Sequence, residues 1–180
     1  MVNLVKILVS LAIALVSLVS CSNQPSLQKY FLEHETKENF TVVDIHKSIL
    51  GIDESGFDET QKKAYESINK VQLLAYPIKN GNVETYKVEK DIIKQLFSTD
   101  EYTTIARMGT GGGKVIITYL GDSEAIDEMV VFGYGKEMGL GVARILGDDM
   151  SADEIFTLYE SLNNSSPDDS QIKEYFKLFQ

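Results

Sequence analysis

A chain of 180 residues with 27 acidic against 17 basic side chains carries a formal net charge of −10, and a surface of that sign repels phosphate backbones and anionic lipid. The balance argues against nucleic-acid binding, and any hold on a membrane has to come from something other than a basic patch. One cysteine, Cys21, and two histidines, His34 and His46, leave too few soft ligands for a disulfide framework or a Cys/His metal cluster.

The first element is an apolar run over residues 7–19, preceded by Lys6 and the amino terminus. It is too short for a hydrocarbon core that needs about 20 residues, and it has the size of a signal-peptide apolar region. Ordinary secretory cleavage before Cys21 would place the bulky Leu18 at the third-last position. Leu18-Val19-Ser20-Cys21 instead resembles the lipobox of bacterial lipoproteins, in which the cysteine thiol receives a diacylglyceryl group, the peptide is cut just before it and the new amino group is acylated. Two or three acyl chains, at ~0.8 kcal/mol per buried CH₂, give lasting attachment where one gives only a marginal hold. The expected organisation is a signal peptide over residues 1–20, the lipidated Cys21 with a short tether over 21–26, and one α+β domain over 27–180. Loss of Lys6 with the signal would take the basic count from 17 to 16 against the same 27 acids.

Ser26 can cap a helix that carries Leu27, Tyr30 and Phe31 on one side. "NFTVVDI", residues 39–45, has the β-branched content of a strand, and "HKSILGI" turns helical before the loop "DESGFD". Asp58 opens a polar helix over residues 59–70, and "VQLLAYPI", residues 71–78, reads as a buried strand stopped by Pro77 and the turn Asn80-Gly81. Val88, Ile92, Ile93, Leu96 and Phe97 recur at helical spacing and mark an amphipathic helix ending near Ser98. From Tyr102 the period changes to that of strands: "YTTIARM", "KVIITYL", "AIDEMVVF" and "LGVARIL", joined by short glycine-rich links that favour antiparallel neighbours. Ser151 and Glu154 have the spacing of a capping box. A last helix is expected in "SPDDSQIKEYFKLF", with Ser166 as cap, Pro167 at its first position and Ile172, Tyr175, Phe176 and Phe179 on its docking face.

This order predicts an α+β fold: a mainly antiparallel sheet, built from a late four-strand meander plus one or two earlier strands, with helices packed mostly on one face. The lipobox, the early strand followed by helices, and the block from "YTTIARMGTGGGKVIITYLGD" to "GLGVARILGDDMSADEI" together resemble the DUF4252 family, small lipoproteins of Bacteroidota of unknown function. The resemblance implies an envelope protein and assigns no catalytic residue. In that lineage, export to the cell surface goes with an acidic run after the lipidated cysteine. "SNQPS" has none, which implies a periplasm-facing domain on the outer membrane.

Several motifs invite an enzymatic reading. "MGTGGGK", residues 108–114, has Met108 where a P-loop needs glycine and Val115 where it needs Ser or Thr, and a strand follows instead of a helix. Lys114 is therefore expected in a hairpin that does not take a nucleoside triphosphate. "GYGKEMGLG", residues 133–141, places Met138 at the third glycine position of a dinucleotide fingerprint and reads as another hairpin. "HETKE", residues 34–38, offers Glu38 where a zinc-protease helix needs its second histidine, so His34 reads as polar helix-end surface. "GDDMSADE", residues 147–154, lacks the alternating acids and central glycine of a calcium loop. Asp44 and His46, two apart on a strand, could orient an imidazole, but no nucleophile motif accompanies them.

Two functions follow. The preferred one is a non-enzymatic, lipid-anchored envelope domain that binds a partner protein or a second copy of itself and uses no metal or cofactor. The alternative is a hydrolase-like or metal-assisted enzyme built on His46 and nearby carboxylates. "VIITYL" and "MVVF" carry apolar residues toward both sides of the sheet, so either helices cover both faces or one apolar face is left for binding. The candidate binding residues on such an open face are Val115, Ile117, Tyr119, Met129 and Val131.

Overall fold

The computed structural model describes residues 25–49, 52–79 and 81–164. Cys21, the signal segment and the expected helix from Ser166 onward lie outside the described residues. Among those described, no helix is long and apolar enough to cross a membrane.

A helix, α1 (Leu27–His34), leads into strand β1 (Thr41–His46) and two single 3-10 turns, Lys47–Ile49 and Glu54–Gly56. Helix α2 (Glu59–Ser67) precedes strand β2 (Ile68–Pro77), and helix α3 (Val83–Leu96) precedes the meander β3 (Tyr102–Thr110), β4 (Gly113–Asp122), β5 (Ala125–Gly135) and β6 (Gly139–Met150). Helix α4 (Ala152–Asn164) follows. The strands form one six-stranded sheet in the order β1-β2-β6-β5-β4-β3, with every neighbouring pair antiparallel. The fold is α+β with the late meander that the glycine-rich links indicate.

Local chemistry sets most boundaries. Ser26 Oγ accepts from Lys29 N at 3.2 Å and starts α1. Asp58 and Gln61 close a reciprocal capping box at 2.8 and 3.0 Å and start α2. The expected end of α2 at residue 70 is too late: the helix stops at Ser67, because β-branched Ile68 and Val71 are recruited into a β2 that pairs with both β1 and β6. Asn82 Oδ1 accepts from Glu84 N at 2.7 Å and starts α3. Between β5 and β6 the chain turns at Gly139, whose φ is +97° and whose missing Cβ would overlap the Tyr76 carbonyl. Glycine is required there on both counts.

The register divides the helices between two faces. Leu74, Val142, Phe132 and Ile116 stand side by side on one face, where Leu27, Tyr30 and Phe31 of α1 and Tyr86, Ile93 and Leu96 of α3 complete a core. Met129 with Ile117, Tyr119 and Ile145 stands on the other, under Ala64 and Tyr65 of α2 and Ile155 and Leu158 of α4. Apolar residues on both sides of the central strands thus answer to helices on both sides of the sheet.

Helix α3 and its cap bury Ile93, Leu96 and Phe97 of the expected apolar stripe but not its other two members. Val88 is 58% exposed and Ile92 39%, whereas Tyr86, Glu89, Ile93 and Leu96 turn inward. A glutamate holds the inner position because α1 and its following turn supply partners for it.

Candidate functional site

The face of the sheet that α1 and α3 cover is not apolar throughout. At one end the pairing sets Asp44 opposite Gln72 and Gln72 opposite Arg144, three polar residues in a row across β1, β2 and β6. Gln72 Nε2 donates to Asp44 Oδ1 at 2.7 Å, Lys70 Nζ stands 3.7 Å from Asp44 Oδ2, and Arg144 Nη1 donates to Gln72 Oε1. Arg144 also grips Glu128 of β5 with both Nε, at 3.0 Å, and Nη2, and its guanidinium lies 5.3 Å from the Phe31 ring centre. Both partners are 4% exposed. Two buried charges coexist because each satisfies the other in a fork-to-carboxylate geometry. Tyr102 OH adds a third donor to Glu128 at 3.3 Å, and burial followed by the Glu128 charge pushes its hydroxyl well above the ordinary tyrosine range.

A second buried cluster locks α1 to α3. Glu89 Oε2 accepts from Tyr30 OH at 2.9 Å and lies 3.1 Å from His34 Nε2, while Lys37 Nζ donates to Glu89 Oε1 at 3.1 Å. His34 Nδ1 stands 2.6 Å from the Tyr30 carbonyl oxygen and so carries a proton; Nε2 faces Lys37 Nζ at 2.8 Å. Burial alone would raise the Glu89 carboxyl, but the hydrogen bonds from Tyr30 and Lys37 and the neighbouring positive charge hold it below the ordinary glutamate range. Burial and the Glu89 charge drive the Tyr30 hydroxyl far upward, so it remains a donor. His34, expected at a polar surface, is 2% exposed and stacked on Tyr30 at 3.8 Å between centroids. Its position near a helix end concealed a core residue.

Two clefts open on this same face. The first, about 570 Å³, has Gln72 and Arg144 among its lining and carries Glu35, Asp44 and Asp127 beside Lys70. Its charge is mixed. The second, about 490 Å³, lies between the C-terminal end of α3 and the β3–β4 hairpin, and it is lined by Lys94, Arg107 and Lys114 with Phe97, Ile116 and Tyr134 among the rest. No carboxylate lines it. Residues 94, 107 and 114 are remote from one another in any sequence motif; the fold brings them together.

The structure scatters the other residues that the sequence singles out. His46 is exposed, shares a hydrogen bond of 3.0 Å with Ser48 Oγ, and borders neither cleft. Asp44 turns to Gln72 and Lys70 instead of to His46. Asp148 accepts from Asn69 Nδ2 at 2.8 Å. Glu154 does not close a box with Ser151 but reaches Lys63 of α2 at 2.7 Å, which ties α4 to α2. "MGTGGGK" and "GYGKEMGLG" both form hairpins, β3–β4 and β5–β6. Val115, Ile117, Tyr119, Met129 and Val131 do share one face, since Ile117 pairs with Val131 and Tyr119 with Met129. Met129 is 6% exposed beneath α2 and α4 with Ile117 and Tyr119 packed against that cluster, while half-buried Val115 and Val131 stand outside it.

The model of a domain of unknown function, DUF4252, matches residues 32–158. The chain belongs to the DUF4252 family. The match begins within α1 and ends within α4, so it takes in all six strands and every residue lining the basic cleft. Arg144, Glu128, His34 and Glu89 fall inside the DUF4252 region, as do Val115 and Val131. No curated protein and no solved structure matches this chain.

Proposed function

We propose that this DUF4252 chain is an envelope lipoprotein, held on the outer membrane by acyl chains on Cys21, whose domain faces the periplasm and works by binding rather than by catalysis. Support for the anchor comes from the sequence: a short apolar region, Leu18-Val19-Ser20-Cys21, and an uncharged Ser22-Asn23-Gln24-Pro25 leading to the helix that Ser26 caps.

One observation carries the binding reading. The acids and bases deepest in the domain are consumed by each other, Glu128 by Arg144 and Glu89 by Tyr30, His34 and Lys37, while the clefts end in side chains suited to recognition. General acid–base work needs a titrating atom turned toward the substrate, and His46, on which a hydrolytic reading would rest, lines neither cleft. A macromolecular partner or a second copy would meet the opposite face at Val131, while Val115 also borders the basic cleft.

Metabolic labelling with an alkyne fatty acid tests the anchor: the expected result is a labelled, membrane-bound protein that loses both properties in Cys21→Ala. Unchanged labelling in the variant would remove this reading. Protease added to intact cells should leave the domain whole, and digestion would place it on the outer surface instead.

A further inference from the structure

We propose that the cleft between the end of α3 and the β3–β4 hairpin binds a small organic anion, a phosphate or carboxylate carried on an apolar or aromatic body. The charge around this cleft runs against the composition. In a chain of 27 acidic and 17 basic residues, Lys94, Arg107 and Lys114 line one cleft of about 490 Å³ and no carboxylate joins them. Other cations do meet carboxylates: Lys37 meets Glu89, Lys63 meets Glu154, Lys87 meets Glu84 and Arg144 meets Glu128; Lys47, Lys62, Lys79 and Lys136 have no salt bridge among the described residues, but none of them lines this cleft. Among the described residues, none of the three cleft cations has a salt bridge.

Two of the cations also have an ordinary role to set against this. Lys94 occupies the last turn of α3, where a positive charge complements the helix dipole, and its Nζ lies 4.8 Å from the centre of the Tyr134 ring. Arg107 donates to Thr104 Oγ1 at 3.1 Å. The dipole does not account for the hairpin cations. Arg107 stands opposite Ile116 and Lys114 opposite Tyr134, so the β3–β4 and β4–β5 registers bring both to the side on which α3 lies. Three like charges around one hollow repel one another, and an anion between them removes that cost.

The lining describes the ligand further. Phe97, Ile116 and Tyr134 provide an apolar and aromatic wall, and Met108, 48% exposed, an adaptable edge. An Arg fork with two point-charge ammonium groups suits the several oxygens of a phosphate or carboxylate. The volume falls in the ordinary range for small-molecule sites, about 300–1,000 Å³. The net charge of −10 repels polyanions over long range, but screening beyond about 8 Å leaves a small anion to the local cations. The cleft owes nothing to the glycine spacing before Lys114: its cations come from a helix and two strands.

Calorimetric titration of the full chain in phosphatidylcholine nanodiscs, with phenyl phosphate as the probe and benzylamine as a cation of similar shape, tests the site. Phenyl phosphate should bind and weaken as salt rises, benzylamine should give no heat, and Arg107→Gln with Lys114→Gln should each weaken the phosphate about tenfold. Lys114→Arg, which keeps the charge, should retain binding. Discs containing phosphatidylglycerol distinguish two sources of the same chemistry: a fall in apparent affinity assigns the site to a lipid headgroup, and no change assigns it to a free anion. Absence of phenyl phosphate binding, equal binding of benzylamine, or undiminished binding by the double Gln variant overturns the proposal. Labelling of Cys21 is independent of all these outcomes, so the anchor and the anion site fail separately.

Discussion

Arg144 and Glu128, buried on the face that α1 and α3 cover, satisfy each other with two hydrogen bonds and are 4% exposed, whereas Lys94, Arg107 and Lys114, at the hairpin end of that face, meet no carboxylate. The difference follows from burial. A charge removed from water must have a partner within the protein, because its desolvation costs several kcal/mol. A charge at the rim of an open cleft keeps its water and can exchange it for a ligand. Ion pairs of the first kind hold the sheet and helices in register, and unpaired cations of the second kind are free for recognition.

The largest expected effect breaks the paired side of this comparison. Arg144→Leu leaves Glu128 buried without its counterion and should cost about 3–5 kcal/mol in urea unfolding followed by circular dichroism. Replacing both partners, Arg144→Met with Glu128→Leu, should recover most of that loss, since the destabilisation lies in the orphaned charge. A single variant as stable as the wild type would mean that water reaches Glu128.

Next comes the cluster between α1 and α3. Glu89→Gln should cost about 1–3 kcal/mol at neutral pH, through the weakened bonds from Lys37 and Tyr30. Because the Glu89 carboxyl is held below its ordinary range when folded, its contribution is present above the unfolded value of about 4.3 and is lost as pH falls through the folded value. The gap between wild type and variant should therefore shrink on acidification. A gap that widened would reverse the assigned shift. Gly139→Ala, at φ +97° and against the Tyr76 carbonyl, should cost more than about 1 kcal/mol in thermal unfolding.

The smallest effect on stability belongs to the unpaired side. Lys114→Gln should shift unfolding by no more than about 0.5 kcal/mol while weakening phenyl phosphate binding. A strongly destabilised Lys114→Gln would show that this cation is structural and would erase the contrast with Arg144.

Much of the fold was legible because its signals are local. The caps at Ser26 and Asp58, the β-branched strand around Val42 and Val43, and the glycine-rich links of the meander each act within a few residues. Misreadings arose where a distant segment overrode a local pattern. Val88 and Ile92 have the spacing of a core stripe but face water, since α1 offers Glu89 its Tyr30 and His34. His34 looked like helix-end surface and is buried by that same contact. Glu154 had the capping spacing but turns to Lys63, 91 positions away in the chain.

Sequence alone determined the acidic charge, the short apolar run before Cys21, the α+β order of elements and the two-sided apolarity of the central strands, because each depends on neighbours along the chain or on composition. Tertiary structure decided that α1 and α3 share one face while α2 and α4 share the other, that Arg144 meets Glu128, and that Lys94, Arg107 and Lys114 surround one cleft. Those outcomes rest on strand register and helix rotation. A slip of one residue in strand register would send the same side chains to the opposite face, and one in a helix would turn them by about 100°, so no pattern within a single segment can specify them.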